Sequence, residues 1–333
     1  MEHATLKHLN EDTSWLLGIP NPAGGAPFNI LIDPWLTGPQ TDFFRLFSTQ
    51  WHVVPSCAQR VADIGTPIHA VVISHEWTDH CHKATLLEVP PSVPVFAADK
   101  AATIIRGWKH FATVYTIPYL TAGASWRVGC ADVLPPHVSI ARVTSAGTDF
   151  AYYHAAVCIA FARGEGKAGE DQASPDAENG GANDTATAVI YTPHGIRSDS
   201  LHALPDAGIA RVLALLHGLH EVTNPKAACA SVPLLLGGAL NLGAPNGLKL
   251  ARALRPAYWL GTHDEAKRGA GLVSRVLKRR VWTVEEAREE AKRVDGGDKG
   301  GGGKGNGKGS GSEGGTDVEC VELRSGEKIV LAV

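Results

Sequence analysis

Apolar residues along this chain gather in short runs separated by Gly, Pro, Asn and Asp, a texture of strands and turns broken by a few stretches with helical spacing. The segment Thr13-Ser14-Trp15-Leu16-Leu17-Gly18, the run Asn29-Ile30-Leu31-Ile32-Asp33 and the run His69-Ala70-Val71-Val72-Ile73-Ser74 are rich in β-branched and aliphatic residues and predict strands. Helical periodicity runs from Lys83 to Val89, from Gly247 to Leu254 and from Thr283 to Val294. Strands and helices alternate, so the chain reads as mixed α/β and not all-β. Near the C-terminus Val318-Glu319-Cys320-Val321-Glu322-Leu323 and Glu327-Lys328-Ile329-Val330-Leu331 predict a strand pair, read as a hairpin, that docks in the sheet.

Two stretches interrupt this pattern. Residues 163–187 are rich in Gly, Ala, Asp and Glu and read as a flexible loop insertion between two strands. Residues 296–315, rich in Gly and Lys, hold nothing apolar to bury and read as a disordered linker. With 333 residues, 44% hydrophobic, the remainder is expected to form a single domain over 1–333. A net charge of -3 and the lack of a basic run point away from nucleic acid and toward a small-molecule substrate. The N-terminus has no signal peptide and no membrane span, which predicts a soluble, cytoplasmic protein with no membrane partner. The six cysteines, Cys57, Cys81, Cys130, Cys158, Cys229 and Cys320, form no CxxC pair, so they read as free thiols and not as a disulfide frame or zinc knuckle. The amphipathic helices have apolar faces suited to covering the sheet, which leaves the oligomeric state open.

The chemistry concentrates where the strand ending at Ser74 runs into His75-Glu76-Trp77-Thr78-Asp79-His80. A strand-to-helix turn can aim several donors at one ion, and imidazole with carboxylate suits zinc, iron or manganese. Read without a metal, the same tract is a helix cap at Thr78 or Asp79 with neighbouring histidines. A zincin is excluded, because HExxH needs histidines four apart and His80 lies five positions after His75.

This tract resembles the HxHxDH signature of the metallo-β-lactamase superfamily, with Trp77 where the second histidine belongs. The segment Asn29 to Leu36, ending its strand in Asp33, resembles the supporting-aspartate strand of the L-ascorbate-6-phosphate lactonase-like branch. Ala188-Val189-Ile190-Tyr191-Thr192-Pro193-His194-Gly195 stands where that superfamily has the strand with its metal-bridging aspartate. Tyr258-Trp259-Leu260-Gly261-Thr262-His263 is similar to the strand that delivers the last histidine ligand. The resemblance implies an αββα sandwich of two mixed sheets flanked by helices. It implies metal ligands at His75, Asp79, His80, His154, His194 and His263, with His137 the alternative to His154. Asp33 would orient a ligand, and Trp77 would either fill the space of the missing imidazole or form a cavity wall that stacks on substrate.

What the resemblance implies is a hydrolase acting on a lactone, ester, amide or phosphoester of a small molecule. It would use one or two divalent ions, zinc with manganese or iron as alternatives, and a metal-held hydroxide. Asp79 and His194 are the candidate catalytic residues, Asp79 also as a proton shuttle. The departures at 77 and 194 weaken the first metal position and leave the second-position set of Asp79, His80 and His263 intact. They also suggest a rival reading, a non-catalytic binding scaffold with a degenerate site; a nuclease of this fold would need a basic cluster that is not there. His217 and His220 read as a loop pair in solvent, or else as contacts at the mouth of the site. His82 and Cys81 read as packing residues beside the motif.

Overall fold

A computed structural model of the chain describes residues 3–145, 153–162, 184–224, 238–297, 318 and 320–332. Two sheets stand face to face among these residues. The first has seven strands, in the order Lys328–Leu331, Ala4–His8, Trp15–Ile19, Phe28–Ile32, Ala70–Ile73, Val95–Ala97 and Val114–Thr116. The second has six, Cys320–Val321, Tyr258–Leu260, Ile209–Leu216, Ala186–Tyr191, Ala155–Ala162 and Val138–Thr144. Both are mixed, because hairpins at one side give way to parallel neighbours further along.

The apolar clusters explain this layering. Leu17, Ile30, Ile32 and Val72 of the first sheet meet Ile140, Ile159, Val189 and Leu260 of the second, which makes the central layer. The outer face of the first sheet packs Leu31, Val71, Ile73 and Val95 on Ala101, Ala102 and Ile105 of the helix Asp99–Gly107. The outer face of the second packs Ile190, Leu215 and Trp259 on Leu248, Ala251 and Ala287 of the helices Gly243–Leu254 and Val284–Gly297. Central strands covered on both sides are buried at every position, as in Trp15–Ile19 and Ala70–Ile73, whereas Ala4–His8 alternates. Each fully buried aliphatic side chain contributes about 1.5–3 kcal/mol. The expected αββα sandwich is therefore present.

Three expectations need correction. The C-terminal strands do not form a hairpin: Cys320–Val321 runs parallel to Tyr258–Leu260 in the second sheet, and Lys328–Leu331 pairs antiparallel with Ala4–His8 in the first. The turn between them, with Gly326 at φ 89°, lets the chain cross from one sheet to the other, so each strand satisfies an open edge. Residues 186 and 187, read as loop, already belong to the strand Ala186–Tyr191, and residues 296 and 297 to the helix that starts at Val284. The helix expected from Lys83 to Val89 is one turn, Lys83–Leu86, capped by His82, whose side chain accepts from the Thr85 amide. The remainder of both low-complexity segments, and Cys229, lie outside the described residues. Among the described residues no helix is long and apolar enough to cross a membrane.

Candidate metal centre

The parallel strands decide where the chemistry lies. Ala186–Tyr191, Ile209–Leu216 and Tyr258–Leu260 are parallel neighbours, so the loops carrying His194, His217 and His263 leave the same edge of the second sheet. Phe28–Ile32 and Ala70–Ile73 are parallel in the facing sheet and deliver Asp33 and the tract His75 to His80 to that edge. Loops at the carboxyl ends of parallel strands are where open α/β sheets place their sites.

His80, His194 and His263 converge there, all buried, with one ring nitrogen from each within 4.8 Å of the others. His80 Nε2 and His194 Nε2 are 2.9 Å apart. Asp79 joins them, Oδ1 3.7 Å from His80 Nε2 and Oδ2 3.8 Å from His263 Nε2. Donors of a tetrahedral ion with bonds of about 2.0–2.1 Å sit about 3.3 Å from one another, so the three imidazoles suit the shell of a single ion, with Asp79 at its edge.

The far side of each ring is held. His80 Nδ1 donates to Asp33 Oδ2 at 2.7 Å and His263 Nδ1 to Asp12 Oδ1 at 3.0 Å, while His194 Nδ1 lies 2.9 Å from Asn241 Oδ1. These carboxylate oxygens accept, so Nδ1 of His80 and of His263 carries a proton and each Nε2 turns inward. Asp33 is fully buried and also takes the Ser74 amide at 2.7 Å and the Ser74 hydroxyl. Asp33 and His263 both have positive φ, 40° and 62°, the backbone twist that turns these side chains off their strand ends toward the site.

Lys267 is the group that the sequence reading missed. Its side chain is 5% exposed, and Nζ lies 3.0 Å from Asp79 Oδ2 and 2.8 Å from Asp12 Oδ2. Burial by itself would raise the Asp79 pKa, but Lys267 first and the histidines next hold it well below the usual range. The two carboxylates likewise outweigh burial at Lys267 and keep it an ammonium. Burial, with His80 and His263 beside it, pushes His194 well down, and burial with Lys267 lowers His263, so both rings are neutral. At His80 burial is overridden by Asp79 and Asp33, which raise it. Asp42 faces the cleft, accepting from the Thr78 amide and hydroxyl; burial and the Asp79 charge push its carboxyl up to about 6.

The other predicted residues separate. His75 stays next to the cluster, its ring centroid 5.4 Å from that of His194, with Nδ1 3.1 Å from Glu76. His154 is not brought to the cluster. Its neighbour Tyr153 goes there instead, stacked on His75 at 5.4 Å and on Trp77 at 5.7 Å. Adjacent residues in an extended chain point to opposite faces, and the register Ala155 to Thr144 chooses Tyr153. His137 precedes the other end of that ladder, where Val138 pairs with Phe161, and is equally remote. The solvent reading of His217 is overturned: it is 1% exposed, with Nε2 2.8 Å from Asn246. His220 is half-buried with Arg279 Nη1 2.8 Å from its Nδ1, and burial and that guanidinium lower it to about 4. His82 caps its helix turn and Cys81 is buried, as packing residues.

Beside the cluster opens a cleft of about 130 Å³, bounded by Trp77, Tyr153, Asn241, Lys267 and Arg279. Trp77 does more than fill the space of an imidazole, since it lines this cleft while its buried indole N–H has no partner among the described residues.

No protein-family profile matches the sequence, and no curated protein matches it. Solved structures do. The chain is similar to an isothiocyanate hydrolase from Delia radicum gut bacteria at 14% identity and TM-score 0.56, over 99% of this chain and 100% of that one. It is similar to a possible metal-dependent hydrolase from Veillonella parvula at 14% identity and TM-score 0.54, with the same coverage of 99% and 100%. YhfI from Bacillus subtilis, described as a metallo-β-lactamase fold protein, aligns over 99% of this chain and 100% of its own at 14% identity and TM-score 0.46. At such identities the likeness is one of fold.

Proposed function

Proceeding from a metallo-β-lactamase fold with imidazoles converging at its strand ends, we propose that the chain is a metal-dependent hydrolase of a small molecule bearing an ester, lactone, amide or phosphoester bond. The observation that carries this reading is the set of held tautomers. Buried carboxylates hold Nδ1 of His80 and of His263, an amide oxygen holds His194 Nδ1, and the opposite nitrogens of the three rings converge within 4.8 Å of one another beside Asp79. Converging imidazole nitrogens need a cation between them, a proton shared by His80 Nε2 and His194 Nε2 at 2.9 Å in the ion-free protein or a metal ion in its place. A divalent ion held by Asp79, His80, His194 and His263 would supply Lewis acidity and bring the pKa of a coordinated water toward neutrality.

The surrounding residues supply the rest. Trp77 and Tyr153 form a flat aromatic wall on which a planar or apolar part of the substrate can lie. Arg279 and Lys267 give the cleft positive charge that suits an anionic group or developing negative charge. Asp79, held ionised by Lys267, serves as a ligand. Asp42, pushed up to about 6, is the carboxyl group suited to take and return a proton near neutral pH. The named activity of the isothiocyanate hydrolase adds the electrophilic carbon of an isothiocyanate to the candidate bonds.

The test is metal content per chain by plasma mass spectrometry on tag-free protein, wild type beside Asp79→Ala and His263→Ala. Bound ion that is lost in both variants is expected, followed by turnover in a panel of lactones, esters, phosphoesters and isothiocyanates. Absence of any ion after reconstitution with zinc, manganese or iron(II) would sink the proposal and leave a metal-free binding scaffold.

A further inference from the structure

One ion within the imidazole set does not explain why an ammonium is buried against its carboxylate ligand. Lys267 Nζ sits between Asp79 Oδ2 and Asp12 Oδ2, and its stem passes beside Trp35, with Nζ 5.3 Å from that ring's centroid. Taking a lysine out of water is expensive, so such a charge persists where the surrounding structure is arranged to hold it. Here the arrangement is specific. Asp12 accepts from His263 through Oδ1 and forms an ion pair with Lys267 through Oδ2, so the same carboxylate orients a ring of the cluster and anchors the cation.

The groups that a second ion would need are missing at the same time. Position 77 carries an indole, Tyr153 and not His154 stacks on His75, and position 194 supplies an imidazole where a bridging carboxylate would stabilise two dications. Asp79 is the carboxylate left at the centre. Its Oδ2 is taken by the ammonium, while Oδ1 faces His80 Nε2 at 3.7 Å.

We propose that Lys267 is a tethered cation that carries the charge a second metal ion would carry, so that the site takes one ion and Asp79 offers it one free oxygen. This rests on the reading of the cluster as a metal site. The physical reason is Coulombic: an ammonium on one oxygen of Asp79 repels any dication approaching the other, and in a buried site that repulsion is weakly screened. It lowers affinity for the first ion and excludes another. In return it pairs Oδ2 of Asp79 and Oδ2 of Asp12 in the ion-free protein, two buried oxygens that would otherwise face no cation.

The experiment is titration of tag-free, metal-stripped protein with zinc by calorimetry and with cobalt(II) by optical and EPR spectroscopy, for wild type, Lys267→Met and Lys267→Arg. Wild type is expected to saturate at one equivalent, with the EPR signal of isolated, uncoupled cobalt(II). Lys267→Met, of similar length but uncharged, is expected to bind the first ion at least tenfold more tightly and to take up a second equivalent. Lys267→Arg, which restores the charge, is expected to return to one. Two tightly held ions in wild type, or unchanged or weaker binding in Lys267→Met, would overturn the role given to the lysine while leaving the metal reading intact. No binding by any of the three would overturn both. Should Lys267→Met fail to fold, the wild-type cobalt spectrum still decides, because spin-coupled cobalt at two equivalents refutes a one-ion site.

Discussion

Asp33→Asn is the sharpest test of how the centre is held, because it changes one atom and little else. Asparagine tolerates the left-handed backbone that Asp33 adopts at φ 40°, so the turn survives. Asn Oδ1 can still accept the Ser74 amide, now 2.7 Å from Asp33 Oδ1. What changes is the atom facing His80, where an acceptor 2.7 Å from Nδ1 becomes an NH2 group. Two donors cannot share that contact. His80 must either lose its Nδ1 partner or move its proton to Nε2, which then points hydrogen instead of a lone pair at the cluster. Loss of a group that orients a metal-binding histidine lowers metal affinity about 10–100-fold, or about 1.4–2.7 kcal/mol. Competition titration against a chromophoric chelator, with far-ultraviolet circular dichroism as the folding check, measures this directly. A folded Asp33→Asn protein that binds zinc as tightly as wild type would refute the tautomer argument and, with it, the observation on which the proposed function depends.

Three further predictions follow from local physics. Gly195 has φ 90°, and a Cβ there would meet Leu242 Cβ at 2.9 Å and Asn246 Oδ1 at 2.7 Å, so Gly195→Ala should cost more than about 1 kcal/mol in urea unfolding; an unchanged midpoint would refute the turn geometry. Asp264 accepts the amides of Leu219 and His220, yet burial pushes its carboxyl up to about 7. A folded pKa above the unfolded value of about 3.9 gives stability that is complete below the unfolded value and is lost as pH rises through 7. Between pH 4 and 7 Asp264→Asn should therefore remove up to about 1.4 kcal/mol per pH unit of downward slope, and unfolding curves whose difference from wild type does not vary with pH would contradict this. Cys57 and Cys130 are exposed whereas Cys158 is buried and pushed up to about 12. Under native conditions a thiol reagent mapped by mass spectrometry should label the first two and spare Cys158, and early labelling of Cys158 would count against the packed sheet.

The sequence by itself determined the strand runs, the tract from His75 to His80, and the placement of Asp33, His194 and His263 just past apolar strands. These are local properties: β-branched runs extend, and a residue that follows a strand sits at its end. Tertiary structure decided which of these ends share an edge, and what stands behind them. Asp12 lies 251 positions from His263, and no local pattern in Asn10-Glu11-Asp12-Thr13 announces that its carboxylate will bridge His263 and Lys267. Lys267, four residues after His263, reads in one dimension as a solvated charge beside Glu265 and Arg268. Only the closing of the two sheets buries it against Asp79. The choice of Tyr153 over His154 follows the same logic, since alternation in a strand guarantees that one of the pair faces the site and the register with Thr144 selects which. The C-terminal strands, alike in sequence, divide between the sheets because each sheet edge has unpaired backbone groups to satisfy, a demand set by the assembled sandwich and not by the strands.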